Sequence, residues 1–189
     1  MATGSLDANG IWIYGEDDSE ATFSALLNKL GDSTSDQVAT IKQSGRVLNT
    51  VSTTKTDTFS TSSTSFTALT GLSATITPKS TSSKILVICN INVANPTAAT
   101  TYFGLLRGAT AIGRSTTATT QNATFFIADI GVTQMFNYAS TVLDSPGTTS
   151  AVTYSVEMRL TSGTSYINRR SADNSFGGIS SITLLEIAG

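Results

Sequence analysis

Between Ala151 and Leu160 the chain reads AVTYSVEMRL, and apolar and polar residues alternate without a break. Val152, Tyr154, Val156, Met158 and Leu160 fall on one side of an extended backbone, and Thr153, Ser155, Glu157 and Arg159 on the other. Successive side chains of a strand point to opposite faces, so this stretch is a strand with one face in a core and one toward solvent. A helix, at 3.6 residues per turn, would mix the two sets on every face. The same period recurs from Lys84 to Val93, where Ile85, Val87, Cys89, Ile91 and Val93 share a face. Asn90 and Asn92 lie opposite them, but so do Leu86 and Ile88. Near the end of the chain, Leu185 and Ile187 likewise oppose Ile182 and Leu184. Strands that are apolar on both faces are expected to be buried twice, once in their own domain and once against something else. A sister subunit is the simplest covering.

Further strands are expected at 47–54, 57–60, 65–70, 72–77, 101–107, 124–131, 134–143, 164–169 and 180–187. Turn-forming clusters separate them, among them Asn95-Pro96, Ser145-Pro146-Gly147 and Ser162-Gly163. Gly108–Gly113 is expected to join two strands. Many short strands with such punctuation predict an all-β protein, an antiparallel β-sandwich of jelly-roll-like type. The stretch 56–87 is the test of that expectation, because more than half of it is Ser or Thr and its only charges are Asp57, Lys79 and Lys84. Phe59, Phe66, Leu69, Leu72, Ala74 and Ile76 recur within it at inward spacing, which a disordered linker would not maintain. It reads as sheet whose outer face is written in hydroxyls. Charged residues are 13% of the chain, about half the usual share, and Ser and Thr fill the gap at roughly three residues in ten. Threonine suits a pleated surface and pairs well across strands.

Residues 1–45 follow a different pattern. Ile11-Trp12-Ile13-Tyr14 is a short apolar run, and Phe23, Leu26, Leu27 and Leu30 recur at helical spacing. Asp17 with Glu20 has the form of a capping box, Gly31 is a candidate stop, and Ser35–Gln43 predicts a second short helix. A helix this short is marginal alone, so its stripe needs a partner. With 189 residues, the chain divides into a segment at 1–45 and a β-domain at 46–189. Trp12, Tyr14, Phe23, Leu26, Leu27 and Leu30 are the candidate attachment and interface residues, since aromatic and aliphatic anchors favour interfaces.

Candidate chemistry is sparse. The chain has no histidine, which removes Ser-His-Asp and Cys-His catalysis and histidine metal sites. One cysteine, Cys89, excludes an intrachain disulfide and a cysteine zinc site, and it is expected to pack in the core. No phosphate-binding glycine loop is present, and Asp17-Asp18-Ser19-Glu20 lacks the spacing of a calcium loop. Paired carboxylates for glycoside hydrolysis would have to come from Asp57, Asp129, Asp144, Glu157, Asp173 and Glu186, which read as scattered solubilising acids. A net charge of −2 gives no basic footprint for nucleic acid, and Arg169-Arg170 reads as a solvated loop pair. No apolar run is long enough to span a membrane, and the N-terminus has no signal-peptide pattern, so synthesis and assembly in a cytoplasm are expected. The reading is of no catalytic residue, no cofactor and no metal. Tyr102, Tyr138 and Tyr166 are kept as residues that could stack on a sugar.

Two stretches carry a family resemblance. The first is VSTTKTDTFST (51–61), continuing as TGLSATITPKSTSSKILV (70–87); the second is LDSPGTTSAVTYSV (143–156), with the ending SSITLLEIAG (180–189). Together they resemble the β-domain of tail-fibre and other virion proteins of tailed bacteriophages, notably those of aquatic bacteria including cyanobacteria. LDANGIWIYG (6–15) with the following helix resembles the start of small phage tail proteins. The resemblance implies a non-enzymatic virion protein, a homotrimeric tail fibre or tail tip that docks on other virion proteins through residues 1–45 and turns its β-domain to the host surface. The alternatives are a head-surface fibre or capsid decoration protein and, from another class, a glycan-binding module or a glycan-degrading depolymerase.

Overall fold

The computed structural model describes residues 5–6, 12–13, 27–32, 34, 45–95, 100–117, 123, 125–127 and 132–189. The chain separates into two compact units, Met1–Ser44 and Gly45–Gly189. In the first, β1 (Ser5–Leu6) pairs antiparallel with β2 (Trp12–Ile13), so Trp12 lies on a two-residue strand opposite Leu6. A helix, α1, covers 27–32, with Leu27 and Leu30 exposed at 51% and 63%. Gly31 is not its stop: the helix continues through Gly31, and the Thr34 hydroxyl donates to the carbonyls of Leu30 and Gly31 at 2.9 and 3.0 Å. Tyr14, Phe23, Leu26, the capping box and the second expected helix lie outside the described residues.

The second unit is a sandwich of two antiparallel sheets. Sheet I has the order β3 (Val47–Lys55), β13 (Ser180–Ile187), β6 (Lys84–Asn95), β10 (Val132–Asp144). Residues 85–90 of β6 pair with β13 on one side and with β10 on the other. Beyond the reach of β13, β12 (Ser165–Ile167) pairs with β6 and carries β4 (Phe59–Thr61). Sheet II has the order β5 (Thr67–Ile76), β11 (Val152–Leu160), β7 (Thr101–Arg107), β8 (Thr110–Ile112), with β9 (Phe125–Ile127) also beside β7. The chain passes from sheet to sheet at β3–β5–β6–β7 and again at β8–β10–β11–β13. Eight strands connected this way are a jelly roll.

Alternation built these strands where the sequence placed them, with three differences. The expected strands 65–70 and 72–77 are one strand, β5, because Gly71 at φ 84° absorbs extra residues as a bulge. The segment 108–113 contains a strand of its own, β8, reached by a tight turn at Gly108 (φ 57°). Phe66 does not point inward, as described below.

The core lies between the sheets. Ile85, Val87, Cys89, Ile91 and Val93 of β6 meet Leu69, Leu72, Ala74 and Ile76 of β5, Tyr154, Val156, Met158 and Leu160 of β11, and Phe103 and Leu105 of β7. Burial pushes the Cys89 thiol up to about 12, so it behaves as a small apolar group. The hydroxyl faces form cross-strand pairs: Thr75 with Thr153 at 2.7 Å on sheet II, and Ser52 with Thr183 at 2.9 Å on sheet I.

Polar ties close the sandwich. The Tyr154 hydroxyl donates to Asp144 at 2.7 Å, and Arg107 holds both Asp144 oxygens at 3.0 Å, which joins β10 to the opposite sheet. The tyrosine is raised above its usual range, by burial first and by Asp144 next, so it stays a donor. Buried Glu186 accepts from the Lys79 amide at 2.6 Å and the Ser83 hydroxyl at 2.8 Å, and so anchors the turn between β5 and β6. Its other oxygen, Oε2, is buried without a hydrogen-bond partner.

Two outcomes are expected. A chain beginning at Gly45 should fold and unfold cooperatively, because the sandwich's core comes entirely from the second unit; a non-cooperative urea transition would show otherwise. Glu186→Ala, which strands the buried Ser83 hydroxyl and the part-buried Lys79 amide, should lower stability by about 1–3 kcal/mol, whereas Glu186→Gln keeps an acceptor and should cost less. Urea unfolding of the two variants checks the difference.

Candidate interaction surfaces

The outward side of sheet I carries the apolar residues that the sequence left on second faces. Leu143, Leu86 and Leu185 sit directly opposite one another across β10, β6 and β13. Ile88 follows on β6, and Ile187 on β13 pairs with Val47 on β3. Leu143 and Val47 are 54% and 53% exposed; Leu86, Ile88, Leu185 and Ile187 are half-buried. Thr50, Ser52, Thr54, Ala139, Thr141, Ser181 and Thr183 fill most of the rest of this face. Lys84, at the margin, is the one charge among these outward positions of β3, β13, β6 and the regular part of β10.

The outward side of sheet II is different in kind. Arg114 pairs with Glu157 and lies 4.4 Å from the centre of the Phe66 ring. Arg159 lies 4.2 Å from the Tyr102 ring centre and 5.3 Å from that of Phe66. Phe66, expected inward, is therefore a stacking surface for two guanidinium groups, which explains its half-buried position outside the core. The Arg114 guanidinium is held below its usual range, by burial first and then by Arg159. Gly104 on the middle strand makes the pair possible: a Cβ there would fall 2.6 Å from Glu157 Oε1 and 2.7 Å from Arg114 Nη2.

The third surface is the loop between β12 and β13. Arg169 and Arg170 are not free side chains; each is engaged within the loop. Arg169 covers the Tyr166 ring at 4.3 Å and donates to Asn174 at 2.8 Å; Arg170 lies 4.6 Å from the Phe176 ring centre and clasps Asp173. Buried Asn168, at φ 60°, anchors the loop, donating to the carbonyls of Lys55 at 2.8 Å and Asp57 at 3.0 Å and accepting from Ser180 at 2.6 Å. The loop holds Phe176 60% exposed. No sequence motif announced it; the dense Asn, Asp, Ser and Gly content of 168–178 was the available signal.

The three candidate tyrosines are not brought together. Tyr102 is buried on β7 under Arg159, Tyr138 is half-buried on β10 against the core, and Tyr166 is half-buried on β12 under Arg169. The candidate acids each have their own partner: Asp57 with Lys55, Asp144 with Arg107 and Tyr154, Glu157 with Arg114, Asp173 with Arg170, and Glu186 with Lys79 and Ser83. Asp129 lies outside the described residues. Among the described residues no three His, Cys, Asp or Glu side chains are grouped to hold a metal, and no helix is long and apolar enough to cross a membrane.

Asp173 gives a pH prediction. Arg170 first, then the Ser175 amide, hold its carboxyl well below the usual range. A depressed carboxyl stabilises the fold above its ordinary value of 3.8 and loses that contribution as pH falls below it. Amide exchange in 169–178 should therefore be unchanged from pH 7 to about 4 and rise below that, after correction for intrinsic rates. Asp173→Asn should show the faster exchange already at pH 7; equal protection in both proteins would refute the role of the pair. No protein-family model and no curated protein matches the chain.

Proposed function

We propose that this protein is a structural component of a bacteriophage virion, a homotrimeric tail-fibre or tail-tip protein. It docks on other virion proteins through residues 1–45 and turns its jelly roll toward the host surface. One observation carries the reading: the outer face of sheet I is nearly free of charge and groups Leu86, Leu143, Leu185, Ile187 and Val47 in one patch. Such a face can be buried against another copy without stripping water from ions, and aliphatic area supplies the driving force. The sequence resemblance to phage virion β-domains supports the setting. The fold supports it by analogy, since jelly rolls recur in viral and lectin domains. Exposed Leu27 and Leu30 on α1 offer a second apolar contact for bundling subunits.

The same face would serve a head-surface fibre or capsid decoration protein equally well. Localising the protein in virion density separates the two, and the tail is the expected place. No catalytic step is assigned in either reading.

In solution the chain should have the mass of a trimer by light scattering or native mass spectrometry. Leu86→Asp with Leu185→Asp should weaken association by tenfold or more, since each buried leucine is worth about 1.5–3 kcal/mol, while the strand signal in circular dichroism persists. Leu26→Asp with Leu30→Asp should weaken assembly in the same way. A wild-type chain that stays monomeric at high concentration sinks the trimer.

A further inference from the structure

A hollow of about 420 Å³ opens where the β12–β13 loop meets the start of β10, lined by Thr133, Gln134, Met135, Arg170, Phe176 and Gly177. Its volume lies within the range of small-molecule sites, roughly 300–1,000 Å³. The loop is fixed from several sides: Ser171 N–H donates to the Thr133 carbonyl at 3.1 Å, Gly178 N–H to Asn168 at 3.1 Å, and Asn92 to Ile179. Gly178 lets the Met135 side chain approach closely, because a Cβ there would lie 2.7 Å from the Met135 methyl and would have to displace it. A large aromatic ring, 60% exposed, is thus held in water by a rigid frame, and the core gains nothing from it.

The chemistry around the ring narrows the ligand. Arg170 gives Nε and Nη2 to Asp173, so their charges offset and Nη1 is left outside the pair, with the guanidinium over the Phe176 ring. Gln134 and Thr133, which line the hollow, are exposed residues without charge. A phosphate or acidic ligand would meet a guanidinium already neutralised by its own carboxylate. An apolar ring with one face under the Arg170 guanidinium and 60% of the residue exposed, in a hollow also lined by Gln134 and Thr133, instead matches a molecule with one C–H face and a rim of hydroxyls.

We propose that this hollow is a binding subsite for a neutral pyranose sugar, with Phe176 as the platform for its C–H face and Gln134, Thr133 and Arg170 Nη1 as hydrogen-bonding partners for its hydroxyls. The proposal deepens the virion reading by naming the class of host-surface ligand and rests on that reading for its biological setting. The site is shallow, so a single copy binds weakly, and presentation in several copies raises the effective affinity.

The test is saturation-transfer NMR on the full chain with the methyl glycosides of glucose, galactose and mannose and with N-acetylglucosamine. Adenosine monophosphate serves as a flat aromatic probe. At least one pyranose should receive saturation on the protons of one ring face. Phe176→Ala should reduce its affinity by roughly tenfold, the worth of one aromatic contact, and Gln134→Ala by less. No transfer to any of the sugars, transfer unchanged in Phe176→Ala, or preference for the nucleotide over every sugar overturns the proposal. Native mass of the same samples tests the assembly independently, so failure of sugar binding and failure of trimerisation are read separately.

Discussion

Strand β6 is the member on which the other parts of the jelly roll depend. Residues 85–90 hydrogen-bond to β13 on one side and to β10 on the other, and 93–94 add β12. Its inward side chains from Ile85 to Val93 lie in the centre of the core and touch the opposing sheet. A strand so placed cannot carry a charge inward, and its outward positions sit in the middle of a sheet where aliphatic residues pack best. Leu86 and Ile88 follow from that position. What does not follow is the extension of the apolar row to Leu143 on the edge strand β10, since edge strands normally use charge to discourage pairing. Between Phe136 and Leu143, β10 contains no Lys, no Pro and no charge. Among the described residues, an edge strand without charge over 136–143 therefore adjoins an apolar face, the observation on which the proposed subunit contact rests.

Hydrophobic burial alone would let two such sheets slide. The register is fixed by buried polar ties that work in only one alignment. Tyr154, Asp144 and Arg107 bind three strands from both sheets. Thr101 and Ser165, 2.6 Å apart and buried, join β7 to β12, and Asn168 ties the last loop to β3. Each tie stays satisfied only while its strands hold their native alignment, so a shift by one residue would leave buried polar groups without partners.

Much of the fold was legible in the sequence because alternation is a local signal. Strands 101–107 and 180–187 have the expected ends, and the hydroxyl-rich stretch 56–87 is sheet. What was not legible depends on partners far along the chain. Ser52 meets Thr183 and Glu186 meets Lys79, pairings separated by 131 and 107 residues, and no window shows them. Phe66 looked inward by spacing, yet two arginines more than 40 residues away make its outward position favourable. Gly71 lies between the expected strands 65–70 and 72–77, and its positive φ bends what is one strand. The loop 168–179 was hardest to see, since its shape comes from Asn168 reaching back to Lys55 and Asp57. In the N-terminal segment, Gly31 carries a stop signal, yet it lies within the helix.

The two candidate surfaces of sheet I lie at opposite ends of the same strands. The leucine row crosses β10 at Leu143, near its C-terminal end, and the hollow begins at Thr133 to Met135, near its N-terminal end. Nine residues of strand separate Gln134 from Leu143, about 30 Å at the usual rise. Copies that bury the leucine end against one another would therefore leave the Phe176 loop uncovered, far from the contact. Sheet II, with its Arg114, Glu157 and Arg159 cluster, has the charges that a water-facing side requires, whereas sheet I has almost none. The asymmetry gives the domain a direction: a nearly uncharged apolar face on sheet I, a charged face on sheet II, and the Phe176 loop at the far end of β10 from Leu143.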